Sequence, residues 1–469
     1  MSSTFPAKTL REAYNAVDPT QPLPAGDARY VNCNDVRGNE DVVAQMFRTV
    51  SYSNQDTHQL FTGHRGCGKS TELLRLKARL EDAGFYVVYF AVDEYLDAND
   101  VIYTDLLLSV ARRVEEDFRK DDIELTEALK TIESWFAEVV FQQNEWEQYQ
   151  RQLEAEASVG VGLPRTVPFI ARLLAKFTGQ IKTGDEVKTE IRHKLDRQIS
   201  QLIEQINSLL LQACLEARKR GKQSIVIIVD NLDRVTLKEV SPGLTSHDTL
   251  FVEHGRQLRD LRCHTIYTVP ISMIYSTKAT VLRNLFPDTR VLPMIKVHEP
   301  RAKGAGDSAQ GLERMRGLLG HRVDLEALAE PDAITYLCRA SGGHPRDLMT
   351  MVRHSIEYAD ESQAKPIDLP AVRRAEARLV SAFARMVPED HFEKLARVHL
   401  TNDIQNDEDH QTMLFNQSVL EYAHDDVSAV EPVSGASTEP WHDVHPAVQK
   451  LARFRKALED ERAQSPIRA

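Results

Sequence analysis

Gly63-His64-Arg65-Gly66-Cys67-Gly68-Lys69-Ser70 matches the pattern G-x-x-x-x-G-K-[ST] at every fixed position. Ahead of it, His58 to Thr62 is a short apolar run suited to a buried strand; behind it, Leu73, Leu74, Leu76 and Leu80 fall at helical spacing. Strand, loop, helix is the setting in which such a loop holds phosphate. Gly63, Gly66 and Gly68, with Arg65 and Cys67 between them, let backbone N–H groups turn inward around an anion, and the new helix points its positive end at the same spot. Lys69 is expected to reach the terminal phosphates and Ser70 to ligate a magnesium ion through its hydroxyl, with Thr71 completing the binding set.

The chain has 469 residues, enough for about two to four domains, and 42% hydrophobic content supports well-formed cores. It contains no run of 18 apolar residues, and Met1-Ser-Ser-Thr-Phe-Pro lacks the basic start and apolar core of a signal peptide, so a cytoplasmic protein without a transmembrane segment is expected. Five scattered cysteines with no C-x-x-C pair argue against a disulfide framework or a zinc site. The formal charge of −12 means that any nucleic-acid contact has to be local.

Ser224-Ile-Val-Ile-Ile-Val-Asp230-Asn231-Leu232-Asp233-Arg234 places five β-branched aliphatics before an acid. That describes a central parallel strand, buried on both faces, delivering Asp230 at the edge where such sheets bind ligands. In a phosphate-loop protein this is the Walker B strand: Asp230 holds Mg²⁺, and Asp233 is the candidate for orienting the attacking water or, alternatively, for capping the next helix. A third strand ends at Thr268-Val269-Pro270, with Thr268 placed to read the terminal phosphate or to act as a plain strand end. Arg290, just before the apolar Val291 to Val297, is a candidate for stabilising transition-state charge in its own or a neighbouring subunit's site, with Arg283 as alternative.

Farther on, Ala340-Ser-Gly-Gly-His344-Pro345-Arg346 opens a helix. The ordered set of phosphate loop, DNLDR, a Thr-ended strand and G-G-H-P-R is similar to the AAA+ and STAND groups of P-loop ATPases, and DNLDR also resembles the KAP NTPases. The resemblance implies that Thr268 is sensor 1, that Arg346 is sensor 2, that Pro345 lies near the adenine, and that Val31 and Val36 pack on the base. Two departures stand out: Asn231 occupies the place of the usual AAA+ glutamate, and Val269-Pro270 that of a STAND-type arginine.

Between the two Walker elements lie about a hundred residues more than a crossover needs. Glu124, Glu127, Glu133, Glu145, Glu154 and Glu156 crowd a first helical arm, whereas Arg165, Arg172, Lys176, Lys188, Arg192 and Lys194 mark a second. A charge-matched helical hairpin is expected, with an apolar tip around 158–178 that folds into the protein's own core, docks a partner protein or dips into a membrane surface. After the sheet, a helical lid and a winged-helix-like domain are expected, but Val398 to Gln449 contains no Lys or Arg, so a protein contact fits it better than a duplex.

The expected fold is α/β: an N-terminal extension (1–27), a parallel-sheet P-loop core (28–300) with the hairpin at 122–210, a lid (305–365) and the winged-helix-like domain (366–460). A loose loop is expected at 430–440 and a frayed tail at 463–469. The resemblance implies a homo-oligomeric switch that binds ATP and Mg²⁺ and controls a partner protein, in bacterial signalling or phage defence. A DNA-associated ATPase and a non-catalytic ATP-binding scaffold are the alternatives.

Overall fold

Ile225–Asp230 is buried at every residue: Ile225, Ile227 and Val229 face one apolar layer, Val226 and Ile228 the other. A strand with two apolar faces needs helices on both sides, which is how the core is built. In the computed structural model, which describes residues 5–183, 187–362, 366–424 and 439–464, it is the third of five parallel strands. These are β1 (His58–Thr62), β2 (Tyr86–Ala91), β3 (Ile225–Asp230), β4 (His264–Val269) and β5 (Asp288–Val291), in the spatial order β2-β3-β4-β1-β5. The loops after β1, β3 and β4 therefore leave the same edge side by side.

The insertion folds into helices Thr126–Trp135, Gln143–Ser158, Phe169–Thr183, Val187–Arg197 and Ile199–Lys219. Its two arms do pair by charge: Glu154 meets Arg172 at 2.8 Å and Arg165 at 3.1 Å, Glu156 meets Lys176 at 2.6 Å, and Glu145 meets Lys194 at 2.7 Å. The apolar run is not a docking tip. Ile170, Leu173, Leu174 and Phe177 are buried in the same apolar cluster as β3. Phe177 sits among Phe136, Phe141 and Tyr149 with ring centroids 5.7, 5.6 and 5.3 Å away. What stays outside is the connecting turn, with Val159 at 73% and Val161 at 58% exposure.

The lid comprises helices Ala309–Gly320, Leu325–Leu328, Pro331–Ala340 and Pro345–Glu361, and its core takes in Leu10, Ala13 and Ala16 of the N-terminal helix Leu10–Ala16. Helix Leu369–Met386 is shared: Ala371, Val372 and Ala375 lie in the lid core and Phe383 in the C-terminal one.

The C-terminal unit adds helices Phe392–Thr401, Glu408–Phe415 and Ala452–Gln464 and an antiparallel pair, β6 (Val419–Tyr422) and β7 (Trp441–Val444). Leu420, Tyr422 and Trp441 of this pair are buried with Phe61, Cys67, Leu292 and Met294 of the ATPase core. The loop expected at 430–440 and the tail at 463–469 lie largely outside the described residues. Among the described residues, no helix is long and apolar enough to cross a membrane.

Asp443 pins the C-terminal pair to its surroundings, accepting from His298 at 3.1 Å and from His399 at 2.6 Å. Burial opposes its charge, but these two histidines hold the carboxyl down at about 2. The folded value lies below the ordinary 3.8, so the group favours folding above that pH and stops doing so as the pH falls through about 2. Asp443→Asn is accordingly expected to lower the denaturation midpoint at pH 7, with the gap to wild type narrowing between pH 4 and pH 2. Phe177→Ala is expected to cost about 3 to 5 kcal/mol in chemical denaturation, and deletion of 158–178 to abolish the soluble fold.

Candidate functional site

The helix Lys69–Asp82 starts at Gly68, which is left-handed at φ 114°, and a Cβ there would meet nothing within 4 Å: it would project into the open cradle. Gly66 is different. At φ 86° its missing Cβ leaves room for the lid, since one would stand 2.7 Å from the Arg346 Cβ and 2.8 Å from the His344 Cε1. The loop and the helix that begins at Pro345 are thus in direct contact, and a Cβ at Gly63 would likewise stand 2.6 Å from the Leu292 carbonyl.

Lys69 is buried with its ammonium 2.9 Å from the Asp233 carboxylate, and it also donates to the carbonyls of Gly63 at 2.8 Å and His64 at 2.9 Å. Burial alone would push the ammonium down; Asp233, Cys67 and Asp230 outweigh it and the net shift is upward. Asp230 accepts from the Tyr89 hydroxyl at 2.8 Å and from the Asn231 N–H at 2.7 Å, and is hydrogen-bonded to Ser70. Burial, then the neighbouring Asp233, raises its carboxyl above the ordinary range. Two buried carboxylates beside a serine hydroxyl form a set of hard oxygen donors that suits Mg²⁺.

Lys69, Ser70 and Asp233 line a cleft that also takes in the helix beginning at Pro345. Its charged lining comprises Arg37, Arg65, Lys69, Arg234, Arg322 and Arg346 against Asp18, Glu72 and Asp233. That is a cationic hollow in a chain of charge −12. Burial, and then the neighbouring Arg234 charge, hold the guanidinium of Arg346 below its ordinary range; burial does the same for Arg65, with Asp233 opposing and Arg234 and Arg346 adding to the depression. Among the described residues Arg346 makes no ion pair, so its charge remains available to an anion. The lining also includes an apolar set, Leu23, Val31, Ile295, Leu318 and Met349 together with Pro345. Phosphate-binding backbone, cations and an apolar slot together fit ATP with a divalent ion.

The remaining sequence-derived residues fall into two groups. Val31, Arg65, Gly66, Cys67, Gly68, Lys69, Ser70, Thr71, Asp233, Pro345 and Arg346 line the cleft. Val36, Gly63, Asp230, Thr268 and Arg290 do not. Val36 is buried behind it, its carbonyl accepting from the Lys296 N–H at 3.0 Å. Arg290 lies on β5, the edge strand, 3.8 Å from Asp288, and Arg283 is exposed on helix Ala279–Leu285. Thr268 is fully buried and accepts from the Leu232 N–H at 2.9 Å, holding the turn that presents Asp233. Asn231, left-handed at φ 65°, lines the cleft and donates its side-chain amide to Asp93 at 2.8 Å; an amide is a poor base for activating water.

Sequence reasoning missed Arg37, whose guanidinium donates to the Cys67 carbonyl at 2.7 Å, and the stretch Asp18 to Leu23, which lines the cleft and whose Leu23 N–H donates to the Thr71 hydroxyl at 3.1 Å. An arginine between Val36 and Gly38 was a usable signal; the proline-rich stretch 19–24 reads as a linker and gave none.

No family model and no curated protein matches the chain. Among solved structures it is similar to the Orc1 protein of Aeropyrum pernix in complex with DNA, at 13% identity over 97% of this chain and 96% of that one, TM-score 0.38. It is likewise similar to the Aeropyrum pernix Orc2 protein in its ADPNP–ADP complexes, at 11% identity over 96% and 98%, TM-score 0.42. A Walker-type ATPase of Pyrococcus abyssi matches at 10% identity over 95% and 99%, TM-score 0.37. The fold assignment rests on the strand order and loop geometry above.

Replacing Thr268 by the near-isosteric valine leaves the buried Leu232 N–H without its acceptor. Thr268→Val is expected to lower unfolding stability by about 1 to 3 kcal/mol. A variant of wild-type stability that has lost only turnover would instead mark Thr268 as a sensor.

Proposed function

We propose that the protein binds ATP with Mg²⁺ in the cleft, hydrolyses it, and uses nucleotide state to control self-assembly and a partner protein. The observation that carries this reading is the buried Lys69–Asp233 pair at 2.9 Å, set beside Asp230 and Ser70 at the mouth of the glycine loop. Lys69 and the loop N–H groups bind phosphate; Ser70 and Asp230 hold the metal; Asp233, released from Lys69 by a bound phosphate, accepts a proton from water. Ser70 and Asp230 would hold Mg²⁺, which would supply positive charge against the charge that develops on the phosphates. Arg346 and Arg234 lie within the cleft lining and complement the same charge, while Arg290 reaches a nucleotide only by serving a neighbouring copy.

A duplex partner suits this chain poorly. In a winged helix the second helix reads the major groove. Here Glu408–Phe415 begins with two acids, and its last residue, Phe415, lies 4.2 Å below the Arg65 guanidinium. The motif resemblance to STAND proteins supports a place in signalling or phage defence. One observation favours a second reading, a non-catalytic scaffold: Asn231 stands where AAA+ proteins carry glutamate and is turned to Asp93.

Lys69→Ala is expected to abolish ATP binding in equilibrium titrations, and Asp233→Asn to retain binding while turnover falls about 100-fold or more. Turnover that survives Asp233→Asn removes Asp233 as the base; tight binding by wild type without turnover favours the scaffold.

A further inference from the structure

The peptide unit between Arg65 and Gly66 carries a carbonyl on one side and an N–H on the other. Because a trans peptide is planar, the two point in opposite directions, and fixing one fixes the other. The Arg65 carbonyl is fixed twice. His344 Nε2 donates to it at 2.6 Å, with Nδ1 of the same ring accepting from the Asp347 N–H at 3.1 Å, which places the proton on Nε2. Gln417 Nε2 donates to it as well, in a short contact. Gln417 belongs to the C-terminal unit, 352 residues away, and holds a left-handed backbone, φ 62°, in the turn before β6. Around it, Phe415 underlies the Arg65 guanidinium at 4.2 Å and the Glu421 N–H donates to His64 Nε2 at 2.9 Å.

We propose that Gln417 is a positioning residue for the phosphate-binding loop: by holding the Arg65 carbonyl away from the cradle it aims the Gly66 N–H at the anion, so that docking of the C-terminal unit and binding of nucleotide phosphate are one coupled equilibrium. The inference rests on the ATP-binding reading above and assigns it a route to the rest of the molecule. Coupling of this kind is reciprocal: whatever C-terminal docking adds to phosphate affinity, bound phosphate returns to docking. The ligand group that matters is the β-phosphate and beyond, because Gly66 belongs to the glycine loop whereas the apolar lining residues come from other segments.

The test uses the full chain. Calorimetric titration of Gln417→Leu, which keeps bulk and removes the donor, is expected to show ADP binding weakened about five- to tenfold, with adenosine binding unchanged. Gln417→Glu, which sets a carboxylate against the carbonyl, is expected to weaken ADP at least as much. In the wild type, ADP but not adenosine is expected to slow amide exchange in Val419–Tyr422. ADP affinity unchanged in both variants, equal losses for ADP and adenosine, or wild-type exchange that ignores ADP each overturns the proposal while leaving nucleotide binding intact. Wild-type protein that binds no ADP overturns both.

Discussion

A loop that points its N–H groups at an anion must point its carbonyls the other way, and here the other way is the protein interior. Each buried carbonyl left without a donor costs about 1 to 3 kcal/mol, so the loop's shape depends on what surrounds it. Lys69 supplies donors to Gly63 and His64, Arg37 to Cys67, and His344 and Gln417 to Arg65. Those donors come from the loop's own helix, the N-terminal segment, the lid and the C-terminal unit. The convergence explains why units far apart in sequence pack on one loop, and why Gly66 tolerates no side chain on the lid side.

The same site concentrates opposed charge. Asp230 and Asp233 are buried together with one ammonium between the loop and β3, while Arg65, Arg234 and Arg346 all line the cleft and the guanidinium groups of Arg65 and Arg346 are held below their ordinary range. A buried ion pair such as Lys69–Asp233 gains little net stability, because desolvation consumes most of its Coulomb energy. Such a pair exchanges partners at low cost. The acids need a further cation and the arginines an anion, and a metal-bound phosphate is both at once.

The local parts of this site were legible in the sequence. Strand, loop and helix around Lys69 follow from a contiguous pattern, and the run Ile225 to Val229 declared a doubly buried strand because nothing else places five β-branched residues together. The ion pairs of the insertion, Glu154 with Arg172 and Glu156 with Lys176, were readable as charge asymmetry between two arms. Periodicity could not say what its apolar face meets: the spacing that brings Ile170, Leu173 and Phe177 to one side is the same for a docking surface and for a core, and the structure gives the core. The sequence left Thr268 open between two readings and Gln417 unmarked for another reason. A threonine at a strand end carries the same hydroxyl whether it faces a phosphate or a backbone N–H, and a glutamine in an acidic stretch carries no signal of a partner 352 residues away.

The junction between the C-terminal unit and the rest is polar where an apolar contact would bind as well. His445 donates to Asp347 at 3.1 Å, His298 and His399 bracket Asp443, and Tyr275 joins Glu421 with His442 3.1 Å from its hydroxyl. Leu420, Tyr422 and Trp441 supply burial nearby, but apolar surfaces tolerate sliding, whereas a hydrogen bond weakens within a few tenths of an ångström and with misalignment. A buried polar network is costly unless every member finds its partner, so it selects one docked geometry and disfavours its neighbours. A loop whose N–H directions are set partly by Gln417 needs a docked geometry of that kind. The polar junction therefore favours one docked placement of the C-terminal unit over its near neighbours, which is the property a domain needs if it is to hold the loop in one shape.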